Sequence, residues 1–211
     1  MKAGIDKGKK YRPYKRISDE EKEMIFKLYE EKMELRKIAR ILGRSLSSIQ
    51  YQLGKKMKEY KELYNQFIEL LKKSKLVFLY LCMDELYTFV KKKSKRVYVW
   101  TAVGVTKTGR KFYFYHLSKH KDAKALFEFN FDLPKVDKYY TDGHFAYDNV
   151  YGEKATQKKS KFTNIVENLN SQMRDKISYL VRKTKAHSKS FEWLDNRLAI
   201  FFVNLNLKSI K

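Results

Sequence analysis

Three acidic residues stand where the chain changes character. Asp84 follows the continuous apolar run Leu76–Met83 (LVFLYLCM), Asp142 closes the short segment VDKYYTD ahead of Gly143, and Glu167 lies on the helical pattern of residues 162–184. Singly, each has an ordinary explanation: an Asp after a strand and an Asp-Gly pair are common turn chemistry, and a helical Glu is usually solvated. Brought together, three carboxylates repel and need cations. Hard oxygen ligands open to a phosphate suit Mg²⁺ or Mn²⁺. A pair of such ions about 4 Å apart activates an attacking hydroxyl and stabilises the leaving oxygen of an in-line displacement at phosphorus.

The elements that would position them follow from periodicity. LVFLYLCM reads as a strand covered on both faces, ending at Asp84. VYVWTAVGV (97–105) and KFYFYHL (111–117) follow, joined by a hairpin-length connection containing Gly109. DAKALFEFNF reads as a helix and VDKYYTD as a fourth, short strand ending at Asp142. This order predicts a mixed sheet whose first and fourth strands are parallel neighbours, so that Asp84 and Asp142 meet at their C-terminal ends. In 162–184, Val166, Leu169, Met173, Ile177 and Leu180 form an apolar stripe with Glu167, Asn170 and Arg174 along one flank. Packed across the sheet, that helix sets Glu167 beside the two aspartates. Asn170 could bond to DNA or to a metal-bound water, and Arg174 to a neighbouring phosphate. Glu85 competes with Asp84, and because adjacent strand residues face opposite ways only one of the two is expected to serve. His116, His120, His144 and His187 form no ligand cluster in sequence, although His144 stands two places after Asp142. The segment SFEWLDNRLAIFFVNLNL reads as a helix closing the core.

Ahead of the sheet lies a different pattern. Ser18 and Glu21 make a capping box, and Ile25, Leu28 and Tyr29 supply an apolar face. A second helix buries Leu35, Ile38, Ala39 and Leu42. Gly43 turns the chain, and Ser45 or Ser47 caps a third helix carrying Leu46, Ile49 and Leu53. This is the helix-turn-helix pattern, although any three-helix bundle needs the same apolar spacing. Its third helix would present Ser47, Ser48, Gln50 and Tyr51, flanked by Arg44 and Lys55, to base edges and phosphates. The chain is accordingly divided into a basic arm (1–17), a helix-turn-helix domain (18–58), a helical connector (59–75) and an α/β domain (76–211).

Charge names the partner class. Forty-seven Lys and Arg against 24 Asp and Glu give +23, with +10 falling in residues 1–75 and +13 in residues 76–211. Basic charge spread over both halves points to nucleic acid, whose phosphates release counterions when neutralised, ahead of a membrane surface or a merely soluble basic protein. The single cysteine, Cys82, excludes an internal disulfide and a cysteine-rich zinc site and fits a reducing compartment. Met1–Arg16 lacks the apolar stretch of an export signal, and no run is long enough to span a bilayer, so no membrane partner and a cytoplasmic address, beside the DNA, are expected.

The series Met83-Asp84-Glu85, Thr141-Asp142-Gly143 and Val166-Glu167-Asn168-x-Asn170-x-x-x-Arg174 resembles the DDE transposases. More narrowly it is similar to the insertion-sequence-one family, whose second Asp and Glu are close in sequence; here 24 residues separate them. The tail Arg182-Lys183-Thr184-x-x-x-Ser188-x-Ser190 and the aromatic, basic stretch Tyr87–Trp100 match as well, and the likeness runs from Cys82 to Phe202. The resemblance implies a ribonuclease H-like mixed sheet flanked by helices, behind the small all-α helix-turn-helix domain. It implies Asp84, Asp142 and Glu167 as a triad holding two Mg²⁺ or Mn²⁺ ions. The reaction would be hydrolytic nicking at transposon ends, then attack of the freed 3′-hydroxyl on target DNA. Double-stranded DNA, as ends and as target, is the implied partner, with a homodimer or larger assembly to pair the ends and Lys183, Lys185 and Lys189 on the DNA backbone. Members often carry a zinc-finger segment ahead of the helix-turn-helix, which this sequence does not show. Two other readings remain at this point: a non-catalytic helix-turn-helix regulator, and a ribonuclease H-like nuclease or resolvase that cuts without joining.

Overall fold

The computed structural model describes residues 16–181 and 188–210, and the chain divides into two compact units, Met1–Leu53 and Gly54–Lys211. The first is helical: α1 (Asp19–Glu30), α2 (Leu35–Ile41) and the start of α3 (Leu46–Lys73). Ser18 Oγ accepts the Glu21 N–H at 3.2 Å, and three acids in the first turn face the positive end of α1. Gly43 takes φ 60° in the turn before α3, and Ser45, rather than Ser47, caps that helix by accepting the Ser48 N–H at 3.1 Å. Ile25, Phe26, Ile38, Ala39, Ile49 and Leu53 are buried. The third helix and the helical connector form one continuous element. It continues to Lys73, because the intervening sequence holds no proline and only one glycine among good helix formers.

The second unit is built on a four-stranded sheet in the order β3-β2-β1-β4, with β1 Phe78–Phe89, β2 Arg96–Thr106, β3 Lys111–Ser118 and β4 Tyr139–Tyr140. The β1–β2 and β2–β3 pairs are antiparallel. The β1–β4 pair is parallel, with Leu81 opposite Tyr139 and Cys82 opposite Tyr140. Thr101 and Tyr115 share the face of Asp84, and α6 (Asn164–Lys176), α7 (Phe191–Ile210) and the later turns of α3 cover it. On that face the Tyr115 ring lies 4.7 Å from both Tyr64 and Phe202. The opposite face, carrying Glu85, Trp100 and His116, is covered by α4 (Ala123–Asn130) and α5 (Phe145–Tyr151), with Trp100 against Tyr147 and His116 against Phe129. The outer edge of β3 is closed by side chains. Asn206 bonds the Tyr113 N–H (2.8 Å) and carbonyl (2.9 Å), and the Tyr64 hydroxyl accepts the Tyr115 N–H at 3.0 Å. That removes a template for unwanted strand pairing.

Two expected element ends move. β1 runs on past Asp84 to Phe89 because its partner strand continues opposite it as far as Arg96. What ends near Asp84 is the pairing with β4. The helix expected over 162–184 stops at Lys176. Buried Arg197 on α7 donates to the Lys176 carbonyl at 3.3 Å, Ile177 turns extended, and a 3₁₀ turn at Ser178–Leu180 is pinned to β1 by Thr88 Oγ1 donating to the Tyr179 carbonyl at 2.5 Å. Cys82 is fully buried and its thiol is pushed up to about 12 by that burial, so it is a packing residue. Among the described residues, no helix is long and apolar enough to cross a membrane.

Candidate metal centre

Asp84 sits mid-strand, one residue beyond the last buried apolar position of its run, and both of its carboxylate oxygens are engaged. Oδ1 accepts the Glu85 N–H and Oδ2 accepts Asn170 Nδ2, each at 2.8 Å. Asn170 is only 2% exposed, and its own carbonyl oxygen accepts Thr101 Oγ1 at 3.0 Å, which fixes which end of the amide faces the carboxylate. Thr101 lies directly opposite Asp84 on β2 and also bonds the Asp84 carbonyl. Asp84 is therefore held from the sheet and from α6 together. Burial, and behind it the charge of Asp142, raise its carboxyl above the ordinary range, against the pull of the Glu85 N–H and Asn170.

Asp142 comes off the end of β4. Its Oδ1 accepts the His144 N–H at 3.1 Å, and the preceding Thr141 is tied to Thr156 through its N–H (2.8 Å) and its hydroxyl (2.7 Å). Gly143 follows at φ 83°, its Cα against the main chain of Gln157. His144 caps α5, its Nδ1 accepting the Ala146 N–H at 3.3 Å, while burial and Lys121 lower its basicity. It acts as a neutral cap.

Asp84, Glu85 and Asp142 each offer a carboxylate oxygen within 4.8 Å of the others. Both neighbours on β1 therefore reach the same place, although adjacent strand residues face opposite ways. Strict alternation governs side chains over the faces of a sheet, but Asp142 stands at the open edge of β1, where the two faces meet. Glu85 arrives from the α4–α5 side, its Oε1 2.5 Å from Lys121 Nζ and its Oε2 accepting the Tyr147 hydroxyl at 3.1 Å. Burial raises the Glu85 carboxyl, partly offset by Lys121. Burial and the neighbouring acids likewise push the Tyr147 hydroxyl well above its ordinary value, leaving it a proton donor.

Glu167 stands outside that group of three. It lies in the first turn of α6, one turn before Asn170 on the same flank, and its Oε1 accepts Lys159 Nζ at 2.7 Å. Lys159 is held protonated first by Glu167 and then by the charges of Asp84 and Asp142, so one ammonium serves all three predicted ligands. Arg174, half-buried on the next turn of that flank, lines a crevice that Glu85 also lines. Lys189 is exposed. Ser47, Gln50, Tyr51 and Lys55 are exposed on α3, and Ser48 is half-buried. Arg44 is engaged within its own unit, its Nε and Nη2 each 2.6 Å from Glu21, bracing the turn before α3 against α1. Lys183, Lys185, His187 and the arm through Lys15 lie outside the described residues.

The sequence matches a helix-turn-helix domain model over residues 13–55 and the IS1 transposase model over residues 77–208, the stretch that contains every residue of the centre just described. The chain belongs to the IS1 transposase family. The fold of this family member is a ribonuclease H-like mixed sheet behind a helix-turn-helix. No curated protein matches its sequence. Among solved structures, the Mos1 mariner paired end complex with Mn aligns at 12% identity and TM-score 0.34, covering 94% of this chain and 75% of that one. The Mos1 strand transfer complex aligns at 12% and TM-score 0.23, covering 95% and 80%. Neither likeness is close enough to bear on the site.

For an IS1 transposase the donor set fits a divalent metal. The oxygens are hard and three lie within one ion's reach, while burial first, and the charge of Asp142 after it, raise the Asp84 carboxyl. Family and cluster together support a catalytic, metal-dependent transposase-type activity. Sequence reasoning missed Glu85 as a member of the cluster, and Lys121, Tyr147, Thr101 and Lys159 as its supports. Thr101 could have been found from strand register, but nothing distinguished Lys159 among 47 basic residues.

Proposed function

We propose that this protein is a DNA transposase that cleaves at the ends of its element and transfers the freed 3′-hydroxyl into target DNA, with Asp84, Asp142 and Glu167 as the metal-holding carboxylates. The observation that carries the reading is the parallel β1–β4 pair, which brings Asp84 and Asp142 together, locked through Asn170 to the helix flank that bears Glu167. When bound, Mg²⁺ or Mn²⁺, two ions in this reading, would supply Lewis acidity to the attacking and leaving oxygens. The chain's own groups do the positioning. Asn170 and Thr101 fix the Asp84 carboxylate, and Lys121 with Tyr147 holds Glu85 toward α5. Arg174, Lys183 and Lys189 grip backbone phosphates of double-stranded DNA. The helix-turn-helix, residues 18–58, reads the ends through Ser47, Ser48, Gln50, Tyr51 and Lys55, while Arg44 orients that helix from its seat on Glu21. Pairing two ends calls for a homodimer or larger assembly.

The deciding experiment uses a pre-cut donor end bearing a free 3′-hydroxyl, target DNA and Mg²⁺. Joined product is expected. Nicking without joining would reduce the protein to a nuclease, and neither activity in any divalent metal would leave a DNA-binding regulator.

Lys159 gives a second test. Its ammonium competes with a metal for that carboxylate. Lys159→Gln is therefore expected to tighten Mn²⁺ binding several-fold, on the order of 1 kcal/mol as for a partly exposed ion pair, measured by titration calorimetry on the DNA-free protein. Unchanged or weaker binding would show that the lysine does not compete.

A further inference from the structure

A lysine-rich segment is built into the wall of the centre. Ala155 makes a parallel bridge to Tyr139, the Thr156 N–H donates to the Tyr139 carbonyl at 2.9 Å, and the Thr156 carbonyl accepts the Thr141 hydroxyl at 2.7 Å. The chain thus runs beside β4 in the same direction, and the Gln157 main chain then lies against Gly143, next to Asp142. Past that point come Lys158, Lys159 and Lys161, all exposed. The far end is tied to the start of α6, where the Ser160 carbonyl accepts both the Thr163 hydroxyl (2.6 Å) and its N–H (3.0 Å). With the backbone anchored on both sides, the lysine side chains are what can move.

Two ammoniums sit on acids at the centre, and their surroundings differ. Lys121 meets Glu85 at 2.5 Å with side chains 30% and 7% exposed, and Lys159 meets Glu167 at 2.7 Å with 63% and 41%. Opening the first pair strands a buried carboxylate, whereas opening the second returns both charges to water at little cost. Lys159 is therefore the exchangeable one. The charges of Asp84 and Asp142 reach it as well, so it borders the place to which a phosphodiester must come to be cut. A phosphate oxygen serves an ammonium as well as a carboxylate does. We propose that Lys159 is a substrate-operated latch: a phosphate of the entering strand draws its ammonium off Glu167, and the freed carboxylate turns to the metal. The inference rests on the reading of Glu167 as a metal ligand and adds how that ligand is held back until DNA arrives. Metal and DNA then bind with positive coupling, and by linkage each raises the affinity of the other by the same factor.

The test measures the affinity of the full chain for a fluorescent donor-end duplex by anisotropy, without metal and with saturating Ca²⁺ in place of Mg²⁺ to block cleavage. The ratio of the two affinities is the coupling. Lys159→Gln is expected to lower that ratio about fivefold, the upper worth of one exposed ion pair, because Glu167 is then already free before DNA binds. Lys159→Arg should keep the ratio. Lys158→Gln should weaken DNA binding equally in both conditions and leave the ratio alone, as loss of a phosphate contact without a latch does. Glu167→Gln should lower the ratio too, and adding Lys159→Gln to it should change nothing further. A ratio that falls in Glu167→Gln but not in Lys159→Gln overturns the latch alone, as does a further fall in the double variant. A ratio unmoved by Glu167→Gln overturns the ligand assignment and the latch with it. Ratios as expected in a protein that never joins ends sink only the strand-transfer reading.

Discussion

Asp84→Asn, Asp142→Asn and Glu167→Gln are each expected to lower Mg²⁺-dependent cleavage of donor ends by on the order of a thousandfold or more, the effect of losing an interaction made to charge that develops in the transition state. DNA binding, measured in Ca²⁺, should be intact. Glu85→Gln is the informative companion. Its oxygens are held by Lys121 and Tyr147, so removing its charge should act through its neighbours and cost about 10–100-fold, as supporting residues around a metal do. If instead Glu85→Gln abolishes cleavage while Glu167→Gln still cuts, the ligand set is Asp84, Glu85 and Asp142, and α6 contributes only Asn170.

The same substitutions carry a stability signature with a definite sign. The Asp84 and Glu85 carboxyls are raised by burial, so the folded state binds those protons more tightly than the unfolded chain. Their contribution is most favourable below the ordinary carboxylate values. It is lost as pH climbs from those values through the raised ones. Metal-free Asp84→Asn and Glu85→Gln should therefore melt higher than wild type at neutral pH and show a flatter acid-side pH profile. Saturating Mn²⁺ should reverse that order for Asp84→Asn, which lacks a proposed ligand, and not for Glu85→Gln, which keeps all three.

The approach of Asp84 to Asp142 was legible because it follows from connectivity: a helix crossover between the first and last strands makes them parallel and gathers their C-terminal ends. The approach of Glu85 is not legible, because strict alternation separates the two faces only where β1 has neighbours on both sides. Where β4 stops after Tyr140, the site lies at an edge that both faces can reach. The end of α6 was illegible for another reason. Its apolar stripe does continue to Ile177 and Leu180, and both are buried, but the backbone that carries them is no longer helical. Arg197 from α7 and Thr88 from β1 take the carbonyls of Lys176 and Tyr179, and neither partner is near in sequence. Periodicity reported what is buried and could not report which backbone delivers it.

Gly143→Ala is expected to be the most damaging single methyl in the site. The added Cβ would lie 2.0 Å from the Gln157 carbonyl oxygen and 2.7 Å from its carbon, both backbone atoms that cannot rotate aside. At φ 83° an L side chain also pays about 1–2 kcal/mol for the left-handed conformation. Gly109 supplies the control: it has φ 79° with nothing within 4 Å of a Cβ, so Gly109→Ala carries the conformational cost without the collision. The excess loss of melting temperature in Gly143→Ala over Gly109→Ala isolates the clash with Gln157. Since Asp142 is the next residue back, relief of the clash must move its carboxylate away from Asp84, and Mn²⁺ affinity should fall at least about tenfold, as it does when a ligand's support is lost. Gly109→Ala should leave metal binding untouched. Should the two variants behave alike in both measurements, the Asp142 loop is free to shift without consequence, and the contact with Gln157 is not what holds the centre in register.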